Sequence, residues 1–345
     1  MHFAYFGSAR TMECMQLEPA DSSTSALPGT PAGGTTKTRP TGRRGGVALM
    51  VGSALSNQTG ASMGALAFPA LGPAGVVAIR QWVAALVLLA VGRPKFQRFT
   101  AAHWRLVLGL AVVFAIMNLS LYASIERIGL GLAVSLEFLG PLAVALAGSR
   151  RLPNLLCALA AAGALALLLR PTPSTDYLGM ALALLAAACW GCYILLNRAV
   201  GASLPGLEGS AAAAALSGAL YLPVGVWILW QHPPTLLVLG YALAAGVLSS
   251  AVPFLADLLA LRRVPTHSFG LFMSINPVFA ALIGILVLDQ HLDAIAWGAI
   301  VVIVAANIVA IATARQSPGG DDLTGTPSGE TPLPRDAGSG TSENS

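Results

Sequence analysis

Apolar residues fill the middle of the chain in long runs, which short polar or charged stretches separate. Ten runs can be traced, and most of them reach the roughly 20 residues that a helix needs to cross the hydrocarbon core of a bilayer. They lie at 46–68, 74–92, 104–125, 131–149, 152–170, 178–198, 208–230, 236–261, 267–288 and 292–314. The pattern predicts an all-α integral membrane protein with ten transmembrane helices.

The two ends of the chain have the opposite character. Residues 1–45 and 316–345 are rich in Ser, Thr, Pro and Gly and show no apolar periodicity. Segments of this composition bury too little apolar surface to offset the entropy lost on ordering. We therefore expect two disordered tails, and the first of them lacks the apolar stretch of a signal peptide.

The overall composition excludes several classes of protein. Hydrophobic residues make up 55% of the chain and charged residues 10%, against roughly 25% charged in soluble domains. The net charge of +4 comes without any nucleic-acid-binding motif, so no nucleic-acid partner is expected. Because no metal-ligand spacing, nucleotide-binding loop or catalytic motif is present, the sequence predicts neither an enzyme nor a metal or cofactor site.

Basic residues between the runs predict the orientation in the membrane. With the N-terminus in the cytoplasm, fourteen Lys and Arg residues fall on the cytoplasmic side, and only Arg127 and Arg170 fall on the other. Positive charge favours cytoplasmic loops, so both termini are predicted to be cytoplasmic. The fourteen are Lys37, Arg39, Arg43, Arg44, Arg93, Lys95, Arg98, Arg105, Arg150, Arg151, Arg198, Arg262, Arg263 and Arg315.

An internal repeat relates the two halves of the chain. The segment Arg127–Pro141 (RIGLGLAVSLEFLGP) aligns without a gap to Arg263–Pro277 (RVPTHSFGLFMSINP), at an offset of 136. The same offset superimposes the third and fourth runs on the eighth and ninth. Each repeat, 46–170 and 178–314, then holds five helices, and an odd number makes the two copies face opposite ways. Inverted repeats of this kind are typical of secondary transporters, which alternate access to a site near the midplane.

Three ionisable residues lie inside the runs: Arg80, Glu137 and Asp257. Each costs about 2.5–3.5 kcal/mol at the bilayer centre, so each needs a partner or a watery cavity. One interpretation is structural, with a carboxylate that pairs with Arg80 and locks the helices. The other is functional: Arg80 offers a guanidinium fork to a substrate carboxylate, while Glu137 and Asp257 exchange protons.

Glu137 stands out because it lies four residues before Pro141 in LAVSLEFLGPLAVAL. Proline has no N–H group and frees the carbonyl about one turn earlier, at Glu137 itself. A carboxylate and a free carbonyl at one level predict a site for a proton, an ammonium group or another cation. Pro277, which the repeat aligns with Pro141, is expected to break the ninth helix in the same way.

Neutral polar residues mark two more helix faces. Asn118 and Tyr122 are four residues apart, so they share one face of the third helix and could bind a substrate. Hydrogen bonds between helices are an equal alternative for both faces. The second face, on the first helix, comprises Ser56, Asn57, Thr59 and Ser62.

Four stretches resemble one family of membrane carriers. They are GASMGALAFPALGPAGVVAIRQ (60–81), MNLSLYASIERIGLGLAVSLEFLGPLAVALAGSRR (117–151), ACWGCYILLNRAVG (188–201) and PFLADLLALRRVPTHSFGLFMSINP (253–277). They are similar to the EamA-type carriers of the drug/metabolite transporter superfamily, and within it to the bacterial threonine/homoserine exporter branch. The similarity extends over roughly residues 46–314.

The resemblance implies ten helices in an inverted five-plus-five repeat, placed in the inner membrane of a bacterial cell with both termini cytoplasmic. It also implies efflux of small neutral amino acids in exchange for protons, with no cofactor. The partners are then a small-molecule substrate, protons and the lipid bilayer, and small-residue helix faces also permit a homodimer. Transport of a different metabolite or drug on the same fold stays open, as does, more remotely, a membrane protein that transports nothing.

Carried over by position, Arg80 matches the arginine of the second helix in that branch, and Glu137 matches the glutamate of the fourth. Asn118, Tyr122 and Pro141 belong to the same motif. The resemblance therefore supports Arg80, Asn118, Tyr122 and Glu137 as the substrate-binding residues, with Pro141 as the helix break.

The chain departs from the exporter pattern at a few positions. Asp257 stands where the exporters have Glu, and Ala65 stands where they have Lys. Asn276 replaces a Glu before proline, and Asp289–Gln290 replaces a Gly-Glu pair. Since the changes at Ala65 and Asn276 each remove a charge, we expect these two to alter substrate choice or coupling.

Overall fold

The predicted apolar runs are helical over most of the residues that the structure describes. The structure is a computed structural model, and it describes residues 40–147, 152–168, 176–261 and 273–314. Within these ranges it contains no strand, a 3₁₀ turn at Phe96–Arg98 and a π-helix at Val247–Ala251. The α-helices are α1 (Pro40–Leu66), α2 (Phe68–Gly92), α3 (Ala101–Ile128), α4 (Leu130–Glu137), α5 (Leu139–Ala147), α6 (Leu152–Leu168), α7 (Tyr177–Ser203), α8 (Glu208–Leu220), α9 (Leu222–Gln231), α10 (Leu236–Gly246), α11 (Val252–Leu261), α12 (Asn276–Leu288) and α13 (Ala294–Ala314).

Some predictions fall outside these ranges. The tails up to residue 39 and from residue 315 onward are among them, as is the first part of the 263–277 repeat window. Five of the basic residues used for orientation also lie there in internal segments, so the orientation stays a prediction. They are Arg150, Arg151, Arg170, Arg262 and Arg263.

Several helices have the length and hydropathy of membrane spans. Among the described residues, α2, α3, α7 and α13 are each long and apolar enough to cross a bilayer alone, and the bent pair α8–α9 can form a fifth span. The other apolar helices are shorter, and α1 carries the polar stretch 56–59 near its middle. The all-helical class is confirmed, while the number of ten spans remains a prediction.

Large apolar side chains cover the outside of the helices. Leu86, Trp230, Leu236 and Leu286 are 69%, 84%, 88% and 78% exposed. A soluble monomer rarely exposes extended apolar surface. These side chains suit contact with lipid, in agreement with a membrane protein.

Helices are interrupted close to prolines. α4 ends at Glu137 and α5 begins at Leu139, two residues before Pro141. A turn at 274–275 stands in the same way before Pro277, and α8 and α9 meet at 41° just before Pro223. Proline removes one helical hydrogen bond and clashes with the carbonyl four residues earlier. The fourth, seventh and ninth predicted runs are therefore not continuous helices.

The N-terminal end of α4 is held by the turn that joins α12 to α13. Gln290 Oε1 accepts a hydrogen bond of 2.9 Å from the backbone N–H of Leu130, and the backbone N–H of Gln290 donates to the carbonyl of Gly284 at 3.2 Å. Next to this contact, Gly131 lies directly on the backbone of Ala281, so that a Cβ atom on Gly131 would stand 2.7 Å from its Cα. α4 is thereby fixed against α12 with Glu137 at its free end.

Candidate functional site

The end of α4 faces a buried cavity at the centre of the helices. The cavity has a volume of about 60 Å³, enough for a few water molecules. Its walls come from α1, α2, α3, α4, α7, the π-helix and the turn before α12. The polar side chains that line it are Asn57, Gln58, Arg80, Asn118, Tyr122, Glu137, Trp190, Ser249 and Asn276.

Arg80 is the positive group of the cavity and is only 6% exposed. It lies on α2, where the surrounding turns are apolar and pack on α8 and α3. Its Nη1 donates a hydrogen bond to Asn118 Oδ1, and its guanidinium carbon lies 5.1 Å from the centre of the Tyr122 ring. A cation over an aromatic face is attracted by the ring quadrupole. The contacts to Asn118 and Tyr122 therefore position the guanidinium without neutralising it.

Arg80 and the neighbouring Tyr122 each have a buried polar atom that is not paired within the described part of the chain. Among the described residues, neither Arg80 Nε nor Tyr122 Oη makes a hydrogen bond, although both atoms are buried. Asn118 is held at both ends of its amide, because its Nδ2 also donates to the carbonyl of Phe114 at 2.7 Å. Buried polar atoms are normally paired with protein or water. The N–H group of Arg80 Nε and the Tyr122 hydroxyl can thus donate hydrogen bonds to an oxygen of a bound molecule.

Glu137 is the negative group of the cavity and is 7% exposed. It is the last residue of α4, and Phe138 after it packs edge-on against Trp190 of α7 with ring centres 4.7 Å apart. Within the described ranges no ion pair joins Glu137 to Arg80, and the one that is found lies elsewhere, between Arg127 and Asp176. The two opposite charges face one cavity, but the protein does not pair them.

The opposite wall is neutral. Gln58 of α1 donates from Nε2 to Asn276 Oδ1 at 3.2 Å, and Asn276 Nδ2 donates to the carbonyl of Met273 at 2.9 Å. Both amides are almost fully buried. Next to them, Ser249 of the π-helix donates to the carbonyl of Asn57 at 3.0 Å. This wall therefore joins α1 to the π-helix and to α12.

The sequence-predicted residues divide into two groups. Arg80, Asn118, Tyr122 and Glu137 come together around the one cavity. Asp257 belongs to α11, but its side chain lies outside what the structure describes. Its part in proton exchange stays a prediction.

Of the two prolines and the positions that depart from the exporter pattern, some line the cavity and others lie away from it. Pro141 and Pro277 follow the helix breaks at Phe138 and 274–275 and do not line the cavity. Ala65 packs against the apolar core. Asn276 lines the cavity, whereas Gln290 caps the far end of α4.

Sequence reasoning missed Gln58, Trp190 and Met273. Gln58 stood beside the predicted polar face of the first helix, and a long amide in an otherwise apolar run was a signal that could have found it. Trp190 and Met273 carry no such signal, since an aromatic or thioether side chain in a membrane helix is usually lipid-facing or packed.

The cavity has the groups to bind a small zwitterion. A guanidinium with a free N–H next to a free phenol O–H suits a carboxylate. A buried carboxylate at the end of a broken helix suits an ammonium group or a proton. The neutral amide wall is left for the remainder of the bound molecule.

Comparison with known proteins also indicates a transporter. The EamA-like transporter family matches residues 177–312 of the chain. The chain is 36% identical over 270 residues to the threonine/homoserine exporter RhtA of Salmonella typhimurium (strain SL1344), covering 76% of this chain and 90% of that protein. It is also 36% identical over 277 residues to the protein of that name from Escherichia coli (strain K12), covering 78% and 92%. One solved crystal structure aligns with a TM-score of 0.51 at 17% identity, covering 80% of this chain and 99% of that one, which indicates a similar fold.

Proposed function

The chain belongs to the EamA-like transporter family, whose members are membrane transporters and not enzymes, and we propose that it exports small neutral amino acids of the threonine and homoserine type. The export is driven by exchange for protons, through alternating access. One observation carries the proposal: Arg80 and Glu137 face the same buried cavity with opposite charges and without pairing to each other. The names of the relatives indicate the substrate class.

In this mechanism Arg80 binds the substrate carboxylate through its free Nε–H, and the Tyr122 hydroxyl donates a second hydrogen bond. Glu137 binds the substrate ammonium group. Because a proton and an ammonium group compete for the same carboxylate, a substrate leaves when a proton arrives, and exchange follows. Asp257 is a second group that takes up or releases a proton.

Contacts between equivalent positions support two inverted repeats. Gln81 Nε2 donates to Ser217 Oγ at 2.8 Å, and Trp82 Nε1 donates to the carbonyl of Gly218 at 3.1 Å. Both pairs are 136 residues apart, which is the offset of the sequence repeat. Equivalent residues meet only where a two-fold axis passes between them, so α2 and α8 lie on the axis of the proposed symmetry. Repeats related in this way can rock about a central site.

The placement in the cell follows from the same proposal. Ten helices, with 46–170 and 178–314 as the two repeats, span the inner membrane of a bacterial cell, and both termini are cytoplasmic. The excess of Lys and Arg in the alternate loops supports this orientation. A homodimer is compatible with the small-residue faces but is not needed for the cavity, whose described walls all come from one chain.

The alternative is a carrier of the same family with a different metabolite or drug as substrate. The departure from the exporter pattern at Asn276 supports this alternative, because Asn276 lines the cavity. The second departure, at Ala65, lies outside the cavity lining. A non-transporting membrane protein is less compatible with family membership.

Efflux from preloaded cells tests the proposal directly. Cells that express the protein are loaded with threonine, homoserine or other neutral amino acids, and efflux is measured with and without an uncoupler. We expect export of threonine and homoserine that the uncoupler abolishes. No export of any amino acid would contradict the proposal and favour the alternative substrate.

A pair of arginine variants links export to the cavity. Arg80→Gln is expected to lower export by about 10- to 100-fold, because a hydrogen-bonded charge contributes about 1.5–3 kcal/mol to binding. Arg198→Gln, the same change at an exposed position on α7, serves as the control and should export normally. Equal export by both variants would exclude Arg80 from the substrate site.

A further inference from the structure

The neutral wall of the cavity leaves one hydrogen-bonding position unused. Gln58 donates from Nε2 to Asn276 Oδ1, and the described residues show no hydrogen bond to its Oε1 atom. Gln58 is only 2% exposed and it lines the cavity. Because this side chain lines the cavity, its carbonyl oxygen can accept a hydrogen bond from water or from a ligand there.

Asn276 fixes the orientation of this oxygen. Its Nδ2 is anchored on the carbonyl of Met273 at 2.9 Å and on the Met273 sulfur at 3.4 Å. Its Oδ1 is then left to accept from Gln58 Nε2. With the amide nitrogen of Gln58 held in this way, its Oε1 cannot exchange places with the nitrogen.

The charged wall cannot select among amino acids. A carboxylate and an ammonium group are common to all of them, so Arg80 and Glu137 bind every zwitterion alike. Selection must come from the groups that meet the side chain. The wall opposite the charges offers Asn57, Ser249 and the amide pair of Gln58 and Asn276 besides its apolar and thioether side chains. The Ser249 hydroxyl already donates to the Asn57 carbonyl, so we take the amide pair as the group that meets the substrate side chain.

We propose that Gln58 reads a side-chain hydroxyl on the transported amino acid, with its Oε1 as the acceptor and Asn276 as the residue that positions it. The proposal rests on the proposed function, in which threonine and homoserine are substrates, and these two have a side-chain hydroxyl in common. A site built around such a hydrogen bond disfavours an analogue that lacks the hydroxyl, since the amide is then left buried and unpaired.

Transport of matched pairs of amino acids provides the test. Purified protein in proteoliposomes is offered threonine against valine, in which a methyl group replaces the hydroxyl, and homoserine against norvaline. The wild-type protein should prefer the hydroxyl compound by about tenfold or more in each pair. Equal rates within both pairs would overturn the proposal on the wild-type protein alone.

Variants assign the preference to Gln58. Gln58→Met keeps the length of the side chain and removes the amide, so the threonine-to-valine ratio should fall about tenfold. Gln81→Met is the matched control: Gln81 is also buried, at 1% exposed, but it bonds Ser217 outside the cavity. The control should keep the wild-type ratio even where its stability changes.

Asn276 is tested by rescue. Asn276→Ala should lower the threonine-to-valine transport ratio. Asn276→Asp keeps an oxygen acceptor for Gln58 Nε2, so its ratio should lie between those of Asn276→Ala and the wild-type protein. A ratio that is unchanged in Gln58→Met overturns the assignment. If no amino acid is transported at all, both this proposal and the proposed function fail, whereas amino-acid transport without a hydroxyl preference overturns this proposal alone.

Discussion

The two ends of α4 are packed in opposite ways although the helix is only eight residues long. At the Leu130 end, the backbone N–H is capped by Gln290, and Gly131 lies directly on α12. At the Glu137 end, the side chain faces a cavity whose wall includes Tyr122, with a phenol oxygen that has no partner among the described residues. One end is dense and satisfied, and the other is open and polar.

This difference separates stability from function within one helix. Close backbone packing and a paired N–H group stabilise the fold. Buried polar groups without partners lower its stability, and such groups are retained where a ligand supplies the missing contacts. The Leu130 end therefore positions the helix, and the Glu137 end is available for binding. Substitutions at the two ends should then differ in which property they change.

The largest effect is expected from Glu137→Gln. Since glutamine cannot exchange a proton, uncoupler-sensitive export should fall to the background, while the melting temperature stays the same or rises because an unpaired buried charge is removed. Efflux and thermal unfolding in detergent measure the two properties. Glu126→Gln, at an exposed position of α3, is the control and should change neither. Retained pH-dependent export by Glu137→Gln would exclude this carboxylate from coupling.

At the Leu130 end of α4, Gly131→Ala is expected to lower the stability of the fold, whereas Glu137→Gln lowers export and leaves stability unchanged or higher. The added Cβ would stand 2.7 Å from the Cα of Ala281, so the backbone must shift, at a cost of about 1–3 kcal/mol in the free energy of unfolding. Gly298→Ala on α13 is the control, because a Cβ there meets nothing within 4 Å. Thermal unfolding compares the two variants. An unchanged melting temperature in Gly131→Ala would show that this end of α4 is not closely packed.

A smaller effect is expected from Gln290→Ala, which removes the acceptor for the Leu130 N–H group. We expect the free energy of unfolding to fall by about 1 kcal/mol. Gln290→Glu keeps an acceptor and adds a negative charge at a helix N-terminus, which is favourable, so it should retain the wild-type melting temperature. If both variants melt alike, Gln290 does not act as a cap.

The smallest effect is expected at the ion pair near the same end. The backbone N–H of Gly179 and then the Arg127 side chain hold the pKa of Asp176 below its usual range, with Arg127 and Asp176 2.9 Å apart. A lowered folded-state pKa stabilises the fold at pH values above the unfolded-state pKa of about 3.9, and this contribution is lost as the pH falls through the folded-state value.

Asp176→Asn should therefore lower the melting temperature slightly at neutral pH, and the difference from wild type should shrink below about pH 4. Thermal unfolding between neutral and acidic pH measures it. A difference that is constant over this pH range would show that the charge of Asp176 does not contribute.

Much of the site could be predicted from the sequence because charged residues in apolar runs are conspicuous. Arg80 and Glu137 are predicted in this way, Asn118 and Tyr122 are predicted from their spacing of four residues on one helix face, and the structure places all four around the same cavity. Gln58 was missed although a long amide in an apolar run is conspicuous, because its contact with Asn276 exists only once the helices have packed. The helix break at Phe138 could be expected from Pro141.

The sequence by itself determined the class of the molecule: its hydropathy and the resemblance over 46–314 predicted a helical membrane protein of the EamA type, and helicity and family membership are confirmed. These properties follow from local composition and from motifs along one helix. Only the tertiary structure decided that Gln58 meets Asn276 and that Gln290 caps Leu130, across 218 and 160 residues of chain. Such contacts depend on how helices pack in three dimensions, and no spacing along one helix encodes which distant side chain completes a hydrogen bond.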